Sequence, residues 1–267
     1  RSGVEFTPAE IYFIEPKNSV KNKDSYMFQP SEFKNSKHKA ITALPVLLET
    51  KFIKPVIKAP FIEPFGLSEN NNYCIFPYKD NESMSINADE LINESPNLFQ
   101  YFTNNKKIIG KQSKRSLTIS RGNAFYSLSK VGDYTFSPHK VTFRDNTKLS
   151  AAVVSEIITP WGEKVMPICA KHCPYISQDK NGNNISEDEA YFLCGILNTP
   201  IVQKYFKFTY STRSFSINFN IKMPKYDNKN KYHKEIVRLA KTATKNKPTE
   251  ETYTELENNY LNLCREI

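Results

Sequence analysis

The chain has 267 residues, enough for one large domain or two small ones, and 39% hydrophobic residues supply a real core. Its 37 Lys and Arg against 28 Asp and Glu give a net charge of +9, which favours a polyanionic partner, although solubility alone also rewards surplus charge. No run of about 18 apolar residues offers a membrane span, and no signal peptide opens the sequence.

The start on Arg1 rather than Met fits an excised domain. Residues 1–16 hold one short predicted strand, Ile11 to Ile14, between Pro8 and Pro16. Residues 17–40 are polar and lysine-rich and are expected to be a mobile connection. Together, residues 1–40 are expected to lead in from an absent catalytic domain. From residue 41, prolines at 45, 55, 60 and 64 forbid a long helix. Short strands and turns are expected there, then a strand at Tyr73–Tyr78. Lys54 and Lys58 project from this apolar stretch, either toward phosphates or to keep a sheet edge soluble.

Ser95 and Pro96 form an N-cap and first-turn pair. Leu98, Phe99, Phe102 and Ile109 follow near one helix face. That helix runs into Lys106, Lys107, Lys111, Lys114 and Arg115, then a loop with Arg121-Gly122, then Phe125-Tyr126-Ser127-Leu128. Ser137 to Arg144 alternates like a strand carrying cations on one side. Cations interleaved with aromatics and hydroxyls suit a nucleic-acid duplex; a solvated cationic helix face is the plainer alternative.

Ala151–Val154, Ile157-Ile158 and Met166–Ala170 are expected core strands, with Trp161 in a turn between them, partly buried or free to stack on a base. Ser186 and Glu189 make a capping box that starts a helix through Leu197, and Thr199-Pro200 restarts a second through Phe206. Tyr210–Ser214 is a hydroxyl-rich loop around Arg213, and Ile217–Met223 a last strand. Beyond it, Tyr232, Ile236, Leu239 and Ala243 recur at helical spacing. Tyr253, Leu256, Tyr260, Leu263 and Ile267 step by 3, 4, 3 and 4, a short heptad seam for packing on each other or on a partner.

Catalytic signatures are scarce. There is no G-x-G-x-x-G, no Walker A loop and no G-x-S-x-G. The histidines at 38, 139, 172 and 233 show no triad logic. Cys169, His172 and Cys173 lack a fourth metal ligand. Five scattered cysteines, at 74, 169, 173, 194 and 264, fit a reduced, cytoplasmic protein. Glu49-Thr50-Lys51, with Asp24 upstream, matches the Glu-x-Lys of metal-dependent nucleases.

The order of segments resembles the C-terminal specificity domain of TaqI-like adenine-specific DNA methyltransferases and, more distantly, the target-recognition domains of type I restriction specificity subunits. Phe52–Ile62 is similar to a "kPllrg-di-ry" segment, Tyr101–Arg115 to a "yl..nk..l..R" helix, and Phe125–Leu128 to a "wyeL" element. Pro138–Asp145 is similar to a "pKiv..d" strand, Tyr191–Tyr205 with Leu197-Asn198-Thr199-Pro200 to a "yyLlaiLNSpl...y" helix pair, and Ile221–Asp227 to "i.ipkfd". The likeness covers about residues 40 to 240. The Asn/Asp-Pro-Pro-Tyr/Phe motif and a glycine-rich loop for S-adenosylmethionine are both absent.

The resemblance implies the reader half of a restriction–modification enzyme that methylates adenine N6. The partners would be double-stranded DNA and a catalytic methyltransferase domain in cis. No cofactor is implied in this chain; S-adenosylmethionine is implied for the parent. The expected fold is α+β, with a strongly twisted mixed sheet flanked by helices. A target-recognition domain at 41–228 would be followed by a C-terminal helical hairpin at 229–267. Lys54, Lys58, Lys106, Lys107, Lys111, Lys114 and Lys140 are the expected phosphate contacts. Arg115, Arg121, Arg144 and Arg213 are the expected base readers, because a guanidinium pairs both acceptors of guanine. A metal-dependent nuclease or a helical protein-interaction module are the alternatives.

Overall fold

A computed structural model describes residues 1–17, 24–34, 36, 38–69, 71–110, 124–146, 148–210, 221 and 223–266. The fold is mixed α+β. One helical turn, α1 (Ala9–Tyr12), leads into β1 (Phe13–Pro16). Then come β2 (Ser25–Pro30), β3 (Val46–Glu49), β4 (Ile53–Ile57), the tight pair β5 (Ile62–Glu63) and β6 (Gly66–Leu67), and β7 (Tyr73–Ile75). Helices α2 (Ala88–Glu94), α3 (Pro96–Asn104) and α4 (Lys106–Ile109) follow. Next are β8 (Val141–Phe143), β9 (Ala151–Val153), the pair β10 (Ile157–Ile158) and β11 (Lys164–Val165), β12 (Ile168–Cys169) and β13 (Tyr175–Ile176). The chain ends in α5 (Glu187–Leu197), α6 (Pro200–Thr209), α7 (Lys231–Lys245) and α8 (Glu250–Glu266).

Six strands form one sheet in the order β12-β4-β7-β1-β2-β3, antiparallel throughout except where β12 joins β4. Residues 1–40, expected as a connection, supply two of its central strands. In β2 only Phe28 and Pro30 are buried, so its Ser-Tyr-Met-Phe-Gln-Pro pattern is easily lost among lysines. The expected strand at 11–14 begins two residues later, because Ala9–Tyr12 turn helically first.

A second sheet, β13-β8-β9, is antiparallel. Its members are buried on both faces, which removes the alternation that marks a half-exposed strand. On one side Val141, Phe143, Ala151 and Val153 meet the apolar faces of α5, α6, α7 and α8. On the other, Ala152, Val154 and Tyr175 pack with Ile57, Ile62, Cys169 and Cys173, joining the two sheets. The expected strand at 137–144 is cut to three residues, because a 3-10 turn over Asp133–Phe136 and then Pro138 precede it.

The helix caps follow local chemistry. Ser186 Oγ accepts from the Glu189 amide at 3.1 Å and starts α5, as the capping box predicts. Pro200 opens α6 as predicted. Ser95, by contrast, makes no side-chain cap on α3. Both oxygens of Glu49 take that place, accepting from Asn97 N and Leu98 N at 3.0 Å each. The continuous helix expected after Ser95 breaks at Asn105 into α3 and α4.

The C-terminal helices pack on each other and on α5. Ile236, Leu239, Ala243, Leu256, Tyr260 and Leu263 are buried among them, so the heptad seam is used within the chain. Gly195 allows α5 and α7 to cross closely, since a Cβ there would lie 2.6 Å from Ile236 Cγ2. The first residues are also docked: Val4 pairs with Ala170, and its amide donates to the Cys169 carbonyl at 2.8 Å. The expected strand at 217–223 falls largely outside the described residues.

Candidate nucleic-acid interface

A surface for a polyanion needs cations that are exposed and not already neutralised. Several described cations fail one of these tests. Lys51 pairs with Glu94, Lys54 with Asp80, Lys79 with Glu90, and Lys164 with Glu156. Lys130 and Lys171 both pair with Glu5, and Lys241 pairs with Asp188. Burial raises the Glu5 carboxyl, but the Lys171 hydrogen bond and the two ammonium charges outweigh it and hold the group below its ordinary value.

Lys17, Lys34, Lys39, Lys148, Lys180, Lys229, Lys231, Lys234, Lys245 and Lys247 pass both among the described residues, as do lysines on two helices that lead into basic stretches. Lys106 and Lys107 on α4 are exposed and make no ion pair among the described residues. Lys106 rests 5.0 Å from the centre of the Phe125 ring. Lys204 and Lys207 on α6 are likewise exposed and unpaired, beside Phe208, whose side chain is 81% exposed. Each helix is followed by an acid-free stretch of sequence: 111–123 carries Lys111, Lys114, Arg115 and Arg121, and 211–222 carries Arg213 and Lys222. All six lie outside the described residues. The α6 lysines were missed in the sequence, although the Lys204-x-x-Lys207 spacing on a helix ending at a cationic loop was the available signal.

The other expected contacts take different places. Lys54 is held in its ion pair with Asp80 at 3.1 Å. The Lys58 amine donates to Asn72 Oδ1 at 2.6 Å and lies 4.4 Å from the Phe13 ring centre. Burial lowers its pKa below the ordinary lysine value. Lys140 is 2% exposed. Arg144 is half-buried at the end of β8, its amide donating to the Ser150 carbonyl at 3.0 Å.

The aromatic segment is mainly architectural. Tyr126 is fully buried and stacks on Phe102 with centroids 4.8 Å apart. Its hydroxyl donates to Ile86 O, and its carbonyl accepts from Tyr12. Leu128 is tied to the Tyr78 hydroxyl through both its amide and its carbonyl. Only Phe125 and Ala124 remain half-exposed on this segment. Trp161, open to a stacking role in the sequence, is buried against Tyr26, Phe28 and Tyr73.

Residues of the catalytic alternatives also make structural contacts. Glu49 is committed to the N-terminus of α3 and Lys51 to Glu94. Replacing Glu49 with Ala should cost about 1–2 kcal/mol, the loss of a charged helix cap. Urea unfolding checks this, and the cost should be equal with and without magnesium; a magnesium-dependent gain confined to the unsubstituted protein would restore the metal-ligand reading. Among the described residues no three His, Cys, Asp or Glu side chains are grouped to hold a metal. Cys173 donates to the Ile57 carbonyl inside the core, and His172 faces outward beside Asp145. The buried thiols are poor nucleophiles; burial pushes that of Cys194 up to about 12.

No family model matches the chain, and no curated protein matches it either. No helix among the described residues is long and apolar enough to cross a membrane.

Proposed function

We propose that this chain is a sequence-reading DNA-binding module of the kind that directs an adenine-N6 methyltransferase of a restriction–modification system to its site. A catalytic domain in cis would bind S-adenosylmethionine and transfer the methyl group. In this reading the mixed sheet is strongly twisted, the C-terminal helices form a hairpin, and the protein works in the cytoplasm.

The supporting observation is the basic, acid-free sequence that follows α4 and α6. Lys106 and Lys107 on α4 and Lys204 and Lys207 on α6 are exposed and make no ion pair among the described residues, a property they share with other lysines such as Lys180, Lys234 and Lys245; they alone lead into these stretches. Lys106, Lys107, Lys111 and Lys114 would neutralise phosphates, joined by Lys204 and Lys207. Arg115, Arg121, Arg144 and Arg213 would read base edges, each worth about 1–3 kcal/mol of discrimination where it pairs a guanine.

Anisotropy of a labelled mixed-sequence duplex across a salt series tests this. The expected log–log slope is about −4 or steeper, and Lys106→Ala with Lys107→Ala should reduce it by about 2. Absence of binding at low salt, or a slope untouched by that pair, overturns the proposed surface. Alanine at the four arginines should flatten site preference; an unchanged preference overturns the base-reading roles.

A further inference from the structure

Between the six-stranded sheet and β8–β9 lies a cleft of about 580 Å³, the size of many small-molecule sites. Lys54 lies in its wall on one side, Val153, Val154 and Ser155 on the other, with His139 and Lys140 beside them. The charges around it are nearly cancelled. Lys54 pairs with Asp80, Lys164 with Glu156 at 2.8 Å, and Glu187 faces Lys241 at 3.8 Å. Lys140 is the exception: among the described residues, no carboxylate or other acceptor meets its amine. The residue is 2% exposed, which leaves its amine little solvent. An ammonium without solvent or counter-ion is costly, and burial accordingly lowers its pKa.

We infer that this cleft binds a small phosphate-bearing molecule, with Lys140 as the anchoring charge. Lys140 is the one lysine of the lining without an ion pair among the described residues, and neutral donors lie beside it. His139 and Ser155 also lack hydrogen-bond partners among the described residues and line the same space. A lysine is a point charge that suits a phosphate, whereas planar carboxylate pairing favours an arginine fork, and none lines this cleft. The recess argues for a free molecule rather than a duplex backbone, whose phosphates lie on the outside of a rod and cannot follow the amine inward. The inference does not rest on the DNA-binding reading, and either can fail alone.

Thermal unfolding with inorganic phosphate, against chloride at matched ionic strength, is the test. At tenfold excess over its dissociation constant, phosphate should raise the midpoint by about 3 °C. Lys140→Met should fold with a ligand-free midpoint equal or higher, because a buried unpaired charge is removed, and should lose the phosphate shift. No shift in the unsubstituted protein, or the same shift in Lys140→Met, overturns the proposal. Should Lys140→Met fail to fold, acetic anhydride labelling of the unsubstituted protein decides. Phosphate should protect Lys140 and not Lys106. Equal labelling of Lys140 with and without phosphate, or protection by a DNA duplex alone, sinks it.

Discussion

Trp161→Ala should lower the unfolding free energy by about 3–5 kcal/mol, the range for deleting a buried aromatic side chain. Trp161 is 9% exposed in the turn between β10 and β11. Its ring lies 5.3 Å from Tyr73, 5.8 Å from Phe28 and 5.9 Å from Tyr26, centre to centre, and its indole N–H donates to Glu163 at 2.9 Å. The turn therefore uses Trp161 to fasten itself onto the six-stranded sheet. Guanidinium unfolding measures the loss. Because this is the single tryptophan, intrinsic fluorescence gives a second reading. Its emission should move to the red on unfolding and stay unchanged when DNA is added. Quenching by DNA, with little lost stability in the alanine variant, would instead make Trp161 a stacking residue.

The second large effect is expected at Asn198. Strand β9 is the open edge of the three-stranded sheet, and Ala151 points its backbone groups outward from that edge. Asn198 meets both: its Oδ1 accepts from Ala151 N at 3.1 Å, and its Nδ2 donates to Ala151 O at 2.8 Å. The same Nδ2 donates to Cys194 O at 3.0 Å. One side-chain amide thus stands in for a neighbouring strand at the joint between α5 and α6. Asn198→Ala leaves the buried Ala151 amide without a partner, at about 1–3 kcal/mol, and takes one donor each from the Ala151 and Cys194 carbonyls. A total loss of about 2–4 kcal/mol in urea unfolding is expected, with faster hydrogen exchange at the Ala151 amide. A loss below about 1 kcal/mol would mean that water accepts from the Ala151 amide in its place, the Ala151 carbonyl being held already by the Phe65 amide at 2.8 Å.

How much was legible in the sequence depends on whether a segment's pattern reflects its own geometry or its neighbours'. The α5–α6 pair was legible, because Ser186, Glu189 and Pro200 mark its boundaries by local chemistry. The C-terminal helices were legible from spacing alone. The strand Val141–Phe143 was misjudged in its faces: alternation implied one exposed side bearing cations, yet packing from both directions buries Lys140. The start of α3 was placed correctly for the wrong reason, since its cap is Glu49, 48 residues earlier. Of the expected site, Lys106 and Lys107 are exposed and, among the described residues, without an ion pair. Lys54 and Lys58 are engaged with Asp80 and Asn72, which no local pattern announces. Lys111, Lys114, Arg115, Arg121 and Arg213 lie outside the described residues.

The docking of Val4 and Glu5 bears on the order in which the chain acquires its structure. Glu5 bonds to Lys171 across 166 residues, and Val4 pairs with Ala170. Made before β12, Val4 lacks its strand partner until β12 has emerged, although Glu5 can already bridge to Ser129. Closing so long a loop adds modest entropy but slows the search. During that interval the apolar side chain of Val4 stays uncovered, a period in which a nascent chain is open to aggregation or to a chaperone.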